Sequence, residues 1–145
     1  MSFALHKFAG LFLAWVGLAG AVSASASDAE HSAEIQRATA LFTARQYEQA
    51  RAIVEPLRRT PFPPLQILFL NAQLARVRGD CTTAIDDFNA MLARDASLAR
   101  PRIDLGVTLW QCGRGQEAVA QLERTLSSGV PRHVEVDVLR VTQAI

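Results

Sequence analysis

Residues 72–88 read AQLARVRGDCTTAIDDF, and this stretch decides the fold. A small residue, Ala72, lies in an apolar helical pattern that ends at the turn-forming pair Gly79-Asp80. A second helical pattern follows, in which Ala84 and Phe88 are four residues apart and share one helix face. Glycine at a helix end adopts positive φ readily. The stretch therefore predicts two antiparallel helices joined by a tight turn.

The same pattern recurs every 34 residues. Small residues occupy two columns of the repeat (Ala38, Ala72 and Gly106; Ala50, Ala84 and Ala118), and a third column is bulky (Val54, Phe88 and Leu122). A further column reads Leu57, Met91 and Thr125, and turns are expected at Arg45-Gln46, Gly79-Asp80 and Gly113-Arg114. One helical pair cannot bury its apolar stripe alone, so successive pairs are expected to stack. Large residues such as Leu41, Phe88, Leu109 and Leu122 are expected to fill the space between units.

These columns resemble the tetratricopeptide repeat, a helix–turn–helix unit of 34 residues. The third copy has the family's Leu-Gly pair at Leu105-Gly106, and the second has Ala84-x3-Phe88. The first copy departs from the pattern, because Glu34 and Arg37 stand where bulky apolar residues are usual. The resemblance covers residues 31–130. It implies an all-α solenoid of three repeats (about 31–64, 65–98 and 99–130) in a domain of residues 27–130.

Prolines and the C-terminal segment mark the borders of these repeats. Pro56 is expected to kink or stop the second helix of the first unit, and Pro61, Pro63 and Pro64 separate the first two units. Residues 131–145 read PRHVEVDVLRVTQAI. Val134, Val138, Val141 and Ile145 recur at helical spacing, whereas Val134, Val136 and Val138 also alternate as in a strand. We favour a C-terminal helix over residues 131–145 that caps the last repeat.

The first 26 residues have the three parts of a secretory signal peptide. His6 and Lys7 form a short basic start, residues 8–22 (FAGLFLAWVGLAGAV) are apolar and uncharged, and Ala24-Ser25-Ala26 has the form of a cleavage site. An uncleaved membrane anchor is the alternative, although a span normally needs about 20 apolar residues. We expect a periplasmic or secreted protein cleaved near Ala26, with no membrane span after cleavage.

Composition and charge argue against several functions. Half of the residues (50%) are apolar, and 15 basic against 14 acidic residues leave a net charge of +1. This composition excludes intrinsic disorder and disfavours nucleic-acid binding, which usually needs a basic excess. The adjacent pair Asp86-Asp87 points in directions about 100° apart on a helix, so it is interpreted as a solvated face. Without a phosphate loop, nucleophile elbow or zinc-protease motif, neither catalysis nor a cofactor is expected.

Cys81 and Cys112 are the only cysteines. In a stack of helical pairs they fall at the same end of neighbouring repeats. In an exported protein an even number of cysteines is compatible with a disulfide between them, and two buried or half-buried thiols are the other interpretation. Only His31 and His133 remain after cleavage, one at each end of the chain, so no metal site is expected.

The first helices of the three units are expected to line a concave face. Its candidate partner-binding residues are Ile35, Phe42, Phe69, Gln73, Arg76, Ile103, Val107, Trp110 and Gln111. The resemblance implies that this face holds a protein or peptide partner, and Trp and Arg are frequent binding anchors. Alternatively, these side chains pack among themselves or under the C-terminal segment. Arg76 and Trp110, one repeat apart, either stack as a cation–π pair or hold a partner segment between them.

The sequence thus leaves three functional hypotheses. The first is an exported tetratricopeptide scaffold that binds a protein or peptide partner in the bacterial envelope. The second is the N-terminal periplasmic part of an outer-membrane assembly or transport protein whose barrel is missing here. Val130-Pro131 and the helix pattern ending in Gln143-Ala144-Ile145 resemble the region before the barrel in surface lipoprotein assembly modifiers. The third hypothesis is an enzyme of unrecognised type.

Overall fold

The computed structural model describes the backbone of residues 18–129 and the side chains of residues 31–129. Within that range the chain is all-α, as predicted, and contains no strand. Its helices are α1 (Leu18–Thr43), α2 (Tyr47–Arg58), α3 (Leu65–Arg78), α4 (Cys81–Arg94), α5 (Ala99–Gln111) and α6 (Gly115–Ser127). The predicted C-terminal helix of residues 131–145 lies outside the described residues.

The chain divides into two compact units, Met1–Glu34 and Ile35–Ile145. Helix α1 contributes to both, because it begins at Leu18 and ends at Thr43. It therefore starts well before residue 31, where the first repeat was expected to begin, and it includes Ala24-Ser25-Ala26. The second unit contains the end of α1 and all of α2 to α6.

Tight turns join α1 to α2, α3 to α4 and α5 to α6, at the three predicted positions. Gly79 and Gly113 adopt φ values of 74° and 77°, and Arg45 occupies the same place in the first turn with φ of 60°. In each turn a backbone N–H bonds back to a carbonyl five residues earlier: Gln46 to Leu41 (2.9 Å), Asp80 to Ala75 (2.9 Å) and Arg114 to Leu109 (2.8 Å). These bonds satisfy carbonyl groups that the helix end would otherwise leave unpaired.

Helix α3 contributes residues to two apolar clusters of the second unit. Ile67, Leu70 and Leu74 belong to the first cluster, whereas Leu68 and Ala72 belong to the second. The first cluster also contains Ala38, Ala50, Val54 and Leu57, and the second also contains Ile85, Phe88, Met91, Leu105, Leu109 and Ala118. Successive helices from α2 to α6 pack on one another. This packing is compatible with a stack of helical pairs.

The small-residue columns are buried. Ala38, Ala50, Ala72, Ala84 and Ala118 are all fully inaccessible to solvent (0% exposed). At the remaining position, Gly106, a Cβ atom would lie 2.8 Å from Cδ2 and 2.9 Å from Cγ of Leu122. The Leu122 side chain of α6 therefore lies directly against Gly106 of α5, and a side chain at position 106 would have to displace it.

Gly106→Ala is expected to lower the free energy of unfolding by about 1–3 kcal/mol, because the added methyl group overpacks the fully buried Leu122. Gly115→Ala is the matched control. A Cβ atom on Gly115 would meet nothing within 4 Å, so stability should be unchanged or slightly higher. Urea denaturation of both variants measures the difference. Equal destabilisation by the two substitutions would show that the α5–α6 contact is not this close.

Asp87 corrects the interpretation of Asp86-Asp87 as a solvated face. Asp86 is exposed, but Asp87 is fully buried. One carboxylate oxygen of Asp87 accepts a hydrogen bond from Nε of Arg58, and the other accepts one from Nδ2 of Asn71, both at 2.6 Å. Arg58 ends α2 and Asn71 lies in α3, so the carboxylate links three helices. A buried charge is tolerated because it is paired and hydrogen-bonded.

Pro56 does not stop α2, contrary to one expectation. The helix continues for two residues beyond it, to Arg58. Proline lacks the N–H for one helical hydrogen bond, and its ring crowds the carbonyl four residues earlier. The following residue, Leu57, is buried in the first cluster, and Arg59 donates its backbone N–H to Glu55 at 3.3 Å. Burial of Leu57 thus holds the last turn in place.

Candidate partner-binding face

The predicted face residues separate into an apolar group and a polar group. Ile35 and Phe42 pack against the first apolar cluster, and Phe69 packs against the second. The Phe42 ring lies 5.5 Å from that of Tyr47, and the Phe69 ring lies 6.1 Å from that of Phe88. These three side chains contribute to the core, in agreement with the alternative that the face packs within the molecule.

The polar group meets on α3 and α5 around Asp104. This carboxylate accepts hydrogen bonds from Nε of Arg100 (2.9 Å) and Nε2 of Gln73 (3.1 Å). Nη1 of Arg76 lies 3.8 Å from its other oxygen. Asp104 is buried, with 6% of its surface exposed. Together with Gln111, these residues form the Asp104 network: Gln73, Arg76, Arg100, Asp104 and Gln111.

Arg76 lies in this network and does not stack on Trp110. Its Nη1 donates to Oε1 of Gln73 at 2.9 Å, and its Nη2 donates to Oε1 of Gln111 at 3.4 Å. Within the described residues, the guanidinium forms no cation–π contact with the tryptophan ring. The expectation that Arg76 and Trp110 stack as a cation–π pair is therefore wrong. The physical reason is that a buried carboxylate and two amides offer the cation stronger partners than an aromatic face.

Trp110 is left partly uncovered near the end of α5. Trp110 has 43% of its surface exposed. In the sequence it directly precedes Gln111 of the Asp104 network. Val77, which follows Arg76 on α3, is 50% exposed. Ile103 and Val107, the other predicted apolar residues of α5, are half-buried. We use the name first-helix face for a set of residues on α3 and α5: Val77, Trp110 and the Asp104 network.

A disulfide lies beside the first-helix face. Cys81 at the start of α4 is bonded to Cys112, which directly follows Gln111 at the end of α5. Their Cα atoms are 6.0 Å apart and their sequence separation is 31. The bond therefore ties the end of α5 to the neighbouring repeat, and within the described range no cysteine is free.

Asp80 precedes the disulfide and caps α4. Its carboxylate accepts a hydrogen bond from the backbone N–H of Thr83 at 3.1 Å. Hydrogen bonding by the Thr83 side chain and backbone, and the nearby charge of Arg78, hold the pKa of Asp80 below its ordinary value. Cys81 thus starts a capped helix, which fixes one half of the disulfide.

Three residues of the first-helix face were not predicted: Val77, Arg100 and Asp104. Arg100 and Asp104 are four apart in sequence, the spacing of an ion pair on one helix face. That spacing was the available signal for the pair. Val77 gave no signal, because an isolated valine on a predicted helix is usually buried.

No helix within residues 18–129 is long and apolar enough to cross a membrane. The described side chains place no group of three or more His, Cys, Asp or Glu residues where they could hold a metal ion. No protein-family model matches the chain, and no curated protein matches it.

Proposed function

We propose that the chain is an exported protein of the tetratricopeptide-repeat type that binds a segment of a protein partner at the first-helix face. The observation that carries the proposal is the exposure of Trp110, 43% of whose surface faces solvent, directly before Gln111 of the Asp104 network in the sequence. Large aromatic side chains next to hydrogen-bonding groups are frequent anchors in protein interfaces. The proposed partner is a protein or peptide of the bacterial envelope.

Two further observations support this proposal. The columns of the 34-residue period coincide with buried small residues and with tight turns between paired helices. Such alternation is compatible with stacked tetratricopeptide units. In addition, a disulfide is typical of proteins that leave the reducing cytosol. The proposed location is therefore the periplasm or the exterior, reached by means of the signal peptide.

Trp110→Ala is expected to weaken binding of peptides selected on the full chain from a random display library by about 2 kcal/mol or more, roughly 30-fold. The free energy of unfolding should change little, because the side chain is already partly exposed. Isothermal titration calorimetry and urea denaturation measure the two quantities. Peptides are the defined probes, so the result does not depend on identifying a natural partner.

Phe62→Ala is the matched control. Phe62 is also large and apolar and is 86% exposed, but it lies in the loop between α2 and α3. Its removal should leave peptide binding unchanged. Equal losses in the two variants, or a binding loss for Trp110→Ala that only follows unfolding, would contradict the proposed function.

A further inference from the structure

Phe62 is the most exposed large apolar side chain of the described residues, at 86%. It lies in the loop between α2 and α3, between Pro61 and Pro63. Proline fixes φ, so this loop has few backbone conformations. At the start of the loop the hydroxyl of Thr60 donates to the carbonyl of Leu57 at 2.8 Å. An ordered loop therefore presents the phenyl ring to solvent, which lowers the entropy cost of burying it against a partner.

Two arginines hold this loop and the next one at the same end of the helices. Nη1 of Arg94, the last residue of α4, donates to the carbonyl of Pro63 at 2.5 Å. Nη2 of Arg102, in α5, donates to the carbonyl of Ala96 in the loop between α4 and α5. The two loops therefore lie together, and we call them the loop end: residues 59–64 and 94–102.

Arg94 and Arg102 bring net positive charge to the loop end. Their partners are main-chain carbonyls, and among the described side chains neither arginine forms an ion pair. Residues 94–102 contain three arginines and one acidic residue, Asp95. The Asp95 carboxylate accepts hydrogen bonds from the backbone N–H and the hydroxyl of Ser97. A guanidinium has five N–H donors, so each arginine keeps donors for an oxyanion.

The glycine turns at the other end of the helices have balanced charges. In the α3–α4 turn, Arg78 lies 3.8 Å from Asp80. In the α5–α6 turn, Arg114 lies 2.6 Å from Glu117. Exposed arginines are thus neutralised by carboxylates at these two turns, whereas Arg94 is exposed at the loop end without such a partner.

We propose that the loop end binds the surface of an anionic lipid bilayer, with Phe62 inserted between lipids and with Arg94 and Arg102 paired with lipid phosphates. This surface is separate from the first-helix face. Apolar rings beside arginines are typical of segments that lie on anionic membranes. Each cation near such a surface strengthens binding roughly fivefold.

A bilayer fits the loop end better than an acidic protein does. Protein interfaces are built around a buried apolar core with a polar rim. Phe62 is the only exposed large apolar side chain among the described residues of the loop end. A single ring cannot form such a core, whereas insertion between lipids needs no second apolar group.

The test measures whether the loop end lies against charged lipid. The ¹⁵N-labelled full chain is added to nanodiscs of phosphatidylglycerol and phosphatidylcholine in equal amounts, which carry a gadolinium-chelating lipid that broadens nearby amide signals. The Phe62 and Ser97 amides should lose most of their signal, and those of Gly79 and Gly113 should keep theirs. Nanodiscs of phosphatidylcholine alone should broaden the first two roughly fivefold less. Apolar residues 8–22 can insert into both bilayers, so the difference between lipids is informative.

Variants with matched charge identify the residues responsible. Arg94→Gln/Arg102→Gln should reduce the broadening at the loop end to the value seen with phosphatidylcholine, and Phe62→Ala should reduce it on charged nanodiscs. Arg78→Gln/Arg114→Gln removes the same charge at the glycine turns and should leave the broadening unchanged. Arg94→Lys/Arg102→Lys keeps the charge and should keep most of the broadening. Circular dichroism checks that each variant is folded.

Several outcomes would overturn this inference. One is equal broadening at the loop end with charged and uncharged lipid, and another is broadening that persists in Arg94→Gln/Arg102→Gln. A third is a shift of the Phe62 amide with polyglutamate at concentrations where charged nanodiscs have no effect, which would indicate an acidic protein. Binding of display-selected peptides at the first-helix face should be the same in every variant, so failure of one proposal leaves the other standing.

Discussion

Asp87→Ala is expected to lower the free energy of unfolding by about 3–5 kcal/mol. The substitution removes a fully buried carboxylate and leaves the amide of Asn71 without its 2.6 Å hydrogen bond. Asn71 itself is only 9% exposed, so water cannot easily replace the lost partner. Arg58 is 37% exposed and can turn toward solvent, which places the expected value in the lower part of this range. Urea denaturation monitored by circular dichroism measures the effect.

Asp86→Ala is the control for this prediction. Asp86 is the neighbouring residue of the same type on α4 and is exposed. Its replacement should change stability by about 0.5 kcal/mol at most. The original interpretation of both residues as a solvated face predicts equal, small effects. If Asp87→Ala were as mild as Asp86→Ala, the link between α2, α3 and α4 would carry little of the stability.

Replacing Cys81 and Cys112 by serine is expected to lower the free energy of unfolding by about 3–4 kcal/mol, as loop-closure entropy predicts for a bond across 31 residues. A reducing agent breaks the same bond in the wild-type chain, so it should lower the free energy of unfolding for the same reason. Denaturation of the reduced wild type should therefore resemble that of the double serine variant.

The reducing agent also supplies the control. It should not affect the double serine variant, in which the described residues hold no thiol to reduce. A reductant effect of similar size on this variant would trace the loss to another cause. A stable double variant, with unchanged unfolding in urea, would show that packing alone holds the end of α5 against α4.

The helical fold follows largely from the periodicity of the sequence. Glycine at positions 79 and 113 and small residues at positions such as Ala72 and Ala118 act locally, through backbone freedom and close packing. Because these residues recur at the same position in each 34-residue repeat, their role can be recognised from the sequence. Asp87 was misinterpreted because its partners lie 16 and 29 residues away. A buried, paired carboxylate and a solvated one look the same in the sequence.

The sequence analysis selected part of the polar network on α3 and α5 but not its chemistry. The sequence placed Gln73, Arg76 and Gln111 together, and the structure connects them through hydrogen bonds. It did not reveal that Asp104 would be buried between α3 and α5, which changes the partner of Arg76 from an aromatic ring to polar groups. Which partner Arg76 takes depends on the burial of Asp104 and on the packing of α3 against neighbouring helices, which residue spacing does not specify.

The most direct test of the proposed binding face is a map of chemical shift changes in the ¹⁵N-labelled full chain, titrated to saturation with the tightest display-selected peptide. We predict that the indole N–H of Trp110 and the side-chain amides of Gln73 and Gln111 shift most. Amides near Asp86 on α4 and Glu123 on α6, two exposed residues outside the first-helix face, should stay in place. Shifts concentrated around Asp86 or Glu123, with the Trp110 indole unmoved at saturation, would contradict binding at the first-helix face.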